Sequence, residues 1–212
     1  MSVRIAALGT AFLLAASVSA FAQTPEAAAG TAGSFQVRLR AVTVAPDPSA
    51  TITVNGGNIG GTTDVSTSVV PEADLSYFLT DNIAVEVIAA VTRHTVSNSV
   101  AGRVAAVSLL PPTVTAQYHF SPQGAVRPYV GAGLNYTFFY DANSALAGMK
   151  FSHNVGFALQ AGVDVPIRDN YFLNLDVKKL FLNTSATAAG GTVRAKASLD
   201  PWLVGVGLGV RF

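Results

Sequence analysis

Residues His153–Val165 read HNVGFALQAGVDV, and their side chains separate into two kinds at a period of two. Val155, Phe157, Leu159, Ala161, Val163 and Val165 fall on one face of an extended chain, with Asn154, Gly156, Ala158, Gln160, Gly162 and Asp164 on the other. The last segment repeats the pattern: Trp202, Val204, Val206, Leu208, Val210 and Phe212 oppose Leu203, Gly205, Gly207, Gly209 and Arg211. One greasy face and one small or polar face fit a lipid-facing exterior around a narrow lumen. Glycines pointing inward relieve crowding there and permit strong curvature.

The same alternation elsewhere predicts eight strands, at 34–45, 69–79, 83–96, 104–120, 127–140, 151–166, 171–184 and 196–212. Each reaches the roughly 9–11 residues that cross a bilayer at a 45° tilt. Links at 80–82, 121–124 and 167–170 are tight and turn-like; those at 46–68, 97–103, 141–150 and 185–195 are mostly longer and rich in small or polar residues. Strict alternation of short and long links predicts short periplasmic turns, long outer loops and both termini on the periplasmic side. The fold class expected is therefore an all-β, eight-stranded antiparallel transmembrane barrel.

Composition agrees. Of 212 residues, 12% are charged and half are hydrophobic by class, against about a quarter charged in soluble domains. A net charge of +1 with no Lys/Arg block gives nothing to neutralise nucleic-acid phosphates, and the absence of cysteine excludes disulfides and thiolate metal sites. Arg4, the apolar stretch Ile5–Phe21 and the Ala20-Phe21-Ala22 site read as a secretory signal peptide at 1–22, cleaved after Ala22. The polar stretch after it argues against an uncleaved membrane helix, and no later run of about 20 apolar residues exists. Residues 23–212 are expected to form one barrel domain, with 23–33 as a flexible lead-in. In lipid every backbone group must be paired within the structure, which leaves the closed barrel as the spanning solution.

Tyr77, Tyr118, Phe120, Phe172 and Phe212 cluster at the short-turn end, and Tyr136, Phe138, Tyr140 and Phe151 toward the other, as two aromatic girdles would. On the inferred inward face stand Arg38, Arg40, Glu72, Asp74, Glu86, Asp164, Asp176, Lys178 and Arg211. A charge facing lipid at mid-depth costs roughly 2–4 kcal/mol, so these belong in the lumen. They form either an ion or solute path or a static salt-bridge plug, since an eight-stranded interior is barely wide enough for side chains. Arg93 falls on the outward phase, where it can reach lipid headgroup phosphates. Lys178 and Lys179 cannot both point inward without a β-bulge; otherwise Lys179 sits at the outer interface.

Catalytic signatures are not evident. His94, His119 and His153 lie on different strands without metal-ligand spacing, and Ser121, two residues from His119, falls in a periplasmic turn. No cofactor motif is present. Pro111-Pro112 inside a strand removes ladder donors that a closed barrel needs. Above this pair runs Val104–Leu110, apolar on both faces. An apolar inner face beside a weak seam can pass a hydrophobic solute sideways into lipid; equally, the prolines can mark a bulge that merely ends pairing.

The stretches VRLRAVTVAP (37–46), LSYFLTDNIAVEVIAA (75–90), LLPPTVTAQYHF (109–120), RPYVGAGLNYTFFYD (127–141), DNYFLNLDVKKLFLNT (169–184) and DPWLVGVGLGVRF (200–212) together resemble the OmpW family of outer-membrane proteins. The resemblance implies an eight-stranded barrel with an apolar pocket in its outer half and passive uptake of small hydrophobic molecules. It also implies lateral release near the proline-containing strand, which puts Leu109, Leu110, Pro111 and Pro112 at the gap, and Phe212 as the terminal aromatic read by barrel-assembly machinery. Partners implied are outer-membrane lipid, lipopolysaccharide, that machinery and hydrophobic solutes, with no cofactor. The first outer loop, 46–68, is unusually rich in Gly and Thr, and its pocket-lining residues are not assignable from sequence. The alternative is a structural or stress-response barrel with a plugged lumen, acting through loops 46–68 and 185–195 as a surface receptor. A soluble lipocalin-type barrel would need polar residues where Val155, Leu159, Val204 and Leu208 stand.

Overall fold

The computed structural model describes residues 31–144 and 148–212. The expected signal peptide, 1–22, and most of the expected lead-in, 23–33, fall outside the described residues. Eight staves make the barrel: β1 (Phe35–Ala45, continued by Ser49–Val54), β2 (Ser68–Phe78, preceded by Thr63–Val65), β3 (Ile83–Ala90 and Thr92–Asn98) and β4 (Gly102–Leu110 and Thr113–His119). Then follow β5 (Arg127–Ser144), β6 (Asn154–Arg168, preceded by Lys150–Phe151), β7 (Tyr171–Phe181 and Asn183–Ala188) and β8 (Val193–Ser198 and Trp202–Arg211). Every neighbour pair is antiparallel, and β1 pairs with β8 from Gln36↔Arg211 to Ala45↔Trp202, so the eight-stranded ring closes. Closure removes the exposed edges that lipid cannot satisfy.

The exterior is apolar as the alternation requires: Leu39 is 65% exposed and Leu208 59%, surfaces that would aggregate in water and are solvated by acyl chains. Both ends of the chain sit at the short-turn side, where Phe35 and Phe212 exchange backbone hydrogen bonds of 2.7 and 2.9 Å. Residues 31–33, expected to be flexible, are instead tied to the β2–β3 turn: Ala32 N–H donates to Asp81 Oδ1 (3.0 Å) and Gly33 N–H to the Phe78 carbonyl (2.8 Å).

Several expectations about the outer half change. The stretches read as long loops are largely strand: Ser49–Val54 pairs with Val193–Ser198, which pairs with Asn183–Ala188. Above the closed ring the wall therefore continues as two separate sheets, one from β6, β7, β8 and β1 and the other from β2, β3, β4 and β5. Polar, small residues hid these extensions because water, not lipid, faces them, and apolar alternation is no longer required.

Two girdle assignments are corrected. Phe172 is buried in the lumen, because it shares its face with Asn174 and Asp176; Gly209 opposite leaves the room, and a Cβ there would collide with its ring. Phe151 lines the inner cavity, stacked on Phe139 with centroids 5.4 Å apart. Tyr77, Tyr118, Phe120 and Phe212 at one end and Tyr136 and Phe138 at the other do face outward; the Tyr140 side chain lies outside the described residues. No bulge occurs at Lys178-Lys179. The register runs unbroken through Gln160↔Lys178 and Leu159↔Lys179, Lys178 points in, and Lys179 Nζ lies 4.9 Å from the Trp202 ring centre.

Candidate functional site

β1 sets Arg38 and Arg40 two residues apart on the inner face, and the β1–β2 register places Asp74 opposite the first and Glu72 opposite the second. Cross-strand pairing of opposite charges is the sheet's local rule, and barrel closure then adds partners from further round. Arg38 Nη1 donates to Asp74 Oδ1 and Glu86 Oε1, both at 3.0 Å, while Nη2 reaches Asp164 Oδ2 at 3.1 Å. Arg40 Nη1 contacts Glu72 Oε1 (2.7 Å) and Asp74 Oδ2 (3.0 Å), and Lys178 Nζ bridges Glu72 (2.7 Å) and Asp176 (2.8 Å). Arg211 reaches the cluster through Gln36, whose Oε1 accepts from its Nη2 at 2.7 Å and whose amide donates to Asp164 at 2.9 Å.

Neutral groups that the sequence did not single out complete this floor. Tyr129, buried, donates to Asp176 Oδ2 at 2.6 Å, and Asn174 bonds Asp164 (2.7 Å) and Arg40 (2.6 Å). Gln117 and Gln160 link Glu86 to Asp176. Their inward parity was legible; their meeting across non-adjacent staves was not. The Tyr129 ring stands over Gly162, where a Cβ would clash with it. His119 is buried here too, stacked on Tyr129 at 5.1 Å with Nε2 3.1 Å from Gln117 Oε1, while Ser121 is exposed in its turn.

Above the floor the lumen turns apolar. Val42, Val44, Ala158, Leu180, Leu182 and Leu203 pack together as a buried cluster. Val42, Val44, Leu180, Leu182 and Leu203 form one wall of an apolar cavity open above, with Glu72 and Lys178 at its base. Segment 46–68 contributes Pro46, Pro48, Ala50, Ile52, Thr63 and Val65 to it. His94 also faces this cavity, on a part of β3 above the rung that carries Phe138. Its Nδ1 lies 2.6 Å from the Ser66 carbonyl.

The wall has a weak region around the prolines. β3 and β4 pair at Ile88↔Thr113 and again at Thr92↔Leu109, in phase, so Pro111-Pro112 makes a gap without the bulge. Ala89, Ala90 and Val91 stand unpaired opposite Leu110, Pro111 and Pro112. The Pro111 carbonyl accepts from Asn135 Nδ2 and Thr113 Oγ1, each at 3.1 Å. On the other side of β3, pairing with β2 stops at Glu72↔Ala90 and resumes at Val65↔Val96. An outer crevice lined by Pro71, Ala89, Val91 and Leu110 shares Ala90 and Glu72 with the inner cavity. Leu109 faces the cavity and Leu110 the crevice.

A family model described as the OmpW family matches residues 31–212. The uncharacterized outer-membrane protein y4mB of Sinorhizobium fredii is 40% identical over 98% of this chain and 95% of its own. The dibenzothiophene metabolism operon protein DoxH of Pseudomonas sp. is 31% identical over 82% of this chain and 87% of its own. The crystal structure of the outer membrane protein OprG from Pseudomonas aeruginosa matches with a TM-score of 0.80 at 28% identity, covering 86% of this chain and 97% of that one. A match along the whole barrel, in sequence and in strand order, makes this chain a member of the OmpW family and an integral outer-membrane protein of a Gram-negative bacterium.

Proposed function

We propose that the barrel is a passive conduit for small hydrophobic molecules, which enter the apolar cavity from outside and leave sideways into the membrane. The observation that carries this reading is the contrast along the bore: an apolar cavity open above stands on a floor of charged side chains buried to within a few per cent. An apolar solute gains by entering, about 25 cal/mol per Å² of its surface removed from water. It gains nothing by crossing the floor, where it would displace ion pairs without replacing them. The thin wall at Ala90, between Pro71 and Pro111-Pro112, is the exit favoured by the missing rungs. DoxH, named for a dibenzothiophene metabolism operon, supports an apolar cargo.

The test is uptake of a labelled hydrophobic compound, with a hydrophilic control, in cells lacking or expressing the protein or its Pro111→Val/Pro112→Val variant. Faster uptake of the hydrophobic compound alone, lost in the variant, is expected. Equal uptake in all strains with correct insertion sinks the conduit. The packed floor favours the second reading in that case, a structural barrel acting through its outer extensions as a surface receptor.

A further inference from the structure

The cavity wall is apolar except at a few places, and most of its polar groups are already engaged. Glu72 and Lys178 bind each other at the base, and Thr113 and Thr137 are bonded to Asn135. Thr184 donates to the Ser152 carbonyl. Thr92 and His94 differ. They are neighbours on the inner face of β3, 5% and 6% exposed, and both line the cavity. The Ser66 carbonyl can only accept, so His94 Nδ1 carries the proton and neutral Nε2 presents a lone pair. Ser66 is itself held to β3, its N–H donating to the Thr95 carbonyl (3.0 Å) and its Oγ accepting from Thr95 N–H (2.9 Å), so the ring's orientation is set from outside the cavity. Among the described residues, neither His94 Nε2 nor the Thr92 hydroxyl has a hydrogen-bond partner, and neither atom is sealed from the cavity.

We infer that Thr92 and His94 form a polar grip that selects apolar solutes carrying a hydroxyl, such as phenols and fatty alcohols. Residues two apart on a strand lie about 6.7 Å apart. At that spacing one ligand hydroxyl can donate to His94 Nε2 and accept from Thr92 Oγ1 while its apolar body lies against the remaining wall. A hydrocarbon of the same shape leaves both groups unpaired in an apolar setting, which penalises it. This inference rests on the conduit reading and names the class of cargo within it.

Purified protein in lipid nanodiscs is titrated with 1-naphthol and with naphthalene, each referenced to empty nanodiscs, and binding is read by calorimetry. Wild type is expected to prefer naphthol by about five- to tenfold, the scale of one or two net hydrogen bonds. His94→Leu abolishes the preference, Thr92→Val reduces it, and Thr92→Ser retains it. Equal affinities in wild type, or a preference that survives His94→Leu, overturn the grip alone. Failure of both compounds to bind folded wild type overturns the conduit reading together with it.

Discussion

Arg38 is fully buried at mid-lumen and touches three carboxylates and two aromatic rings, Tyr129 at 5.2 Å and Phe172 at 5.8 Å. Removing one partner of a buried ion pair strands the others, at a cost of about 3–5 kcal/mol. Arg38→Met is therefore expected to lower the urea midpoint of the micelle-embedded barrel far more than Arg93→Met, which changes an exposed side chain. Asn135, wholly buried, donates to the Pro111 carbonyl and to Thr113 Oγ1 (2.8 Å). Asn135→Leu removes both donations and strips the Thr137 hydroxyl of its acceptor, Asn135 Oδ1 (2.7 Å), and a loss of about 1–3 kcal/mol follows in the same unfolding measurement. Nine inward charges, Arg38 to Arg211, were legible because an ionisable residue in lipid has nowhere else to point. Tyr129, Gln117, Gln160 and Asn174 were not singled out, since a neutral side chain pointing inward looks like packing until its partner from another stave is in view.

At the scale of the strand, the proline pair is read more finely than its sequence allows. Tyr136 N–H donates to the Pro112 carbonyl, so Pro112 is tied to β5, while Pro111 stands across from Ala90 in the register that resumes on either side of the gap. Pro111 is therefore the proline nearer the missing β3 rung. Pro111→Val alone is expected to reproduce most of the uptake loss of the double variant, and Pro112→Val alone little of it; the same uptake assay decides. Because the register resumes in phase across the gap, the valine has Ala90 directly opposite as its partner. At the last strand, Phe212 lies outside the barrel, 56% exposed. Phe212→Ala is expected to slow insertion, read as the fraction of heat-modifiable folded protein in outer-membrane preparations.

For the whole molecule, the sealed floor and the open apolar vault make distinct predictions. Reconstituted in planar bilayers, the wild-type barrel is expected to pass almost no ions, because the bore is filled side chain to side chain at the level of Arg38, Arg40 and Lys178. Arg40→Ala/Lys178→Ala removes the cations between floor and vault and is expected to raise conductance. A substitution high in the cavity, such as Leu182→Ala, leaves conductance unchanged.

By itself the sequence determined the spanning strands, their inner and outer faces, the periplasmic ends and the lumenal place of the charges. These are local consequences of one rule: in lipid the chain alternates or pays several kcal/mol for each exposed polar group. Depth along a strand was equally local, but depth alone does not give face, which is how Phe172 came to be placed in a girdle. Phe151 fooled the alternation differently, because its strand breaks at Ser152-His153 and the phase is lost there. Only the tertiary structure decided that the outer links extend the wall, that Arg38 meets Asp164, and that Ala90 is the thin point. Each depends on which staves become neighbours and in what register, and barrel closure brings together residues more than a hundred positions apart.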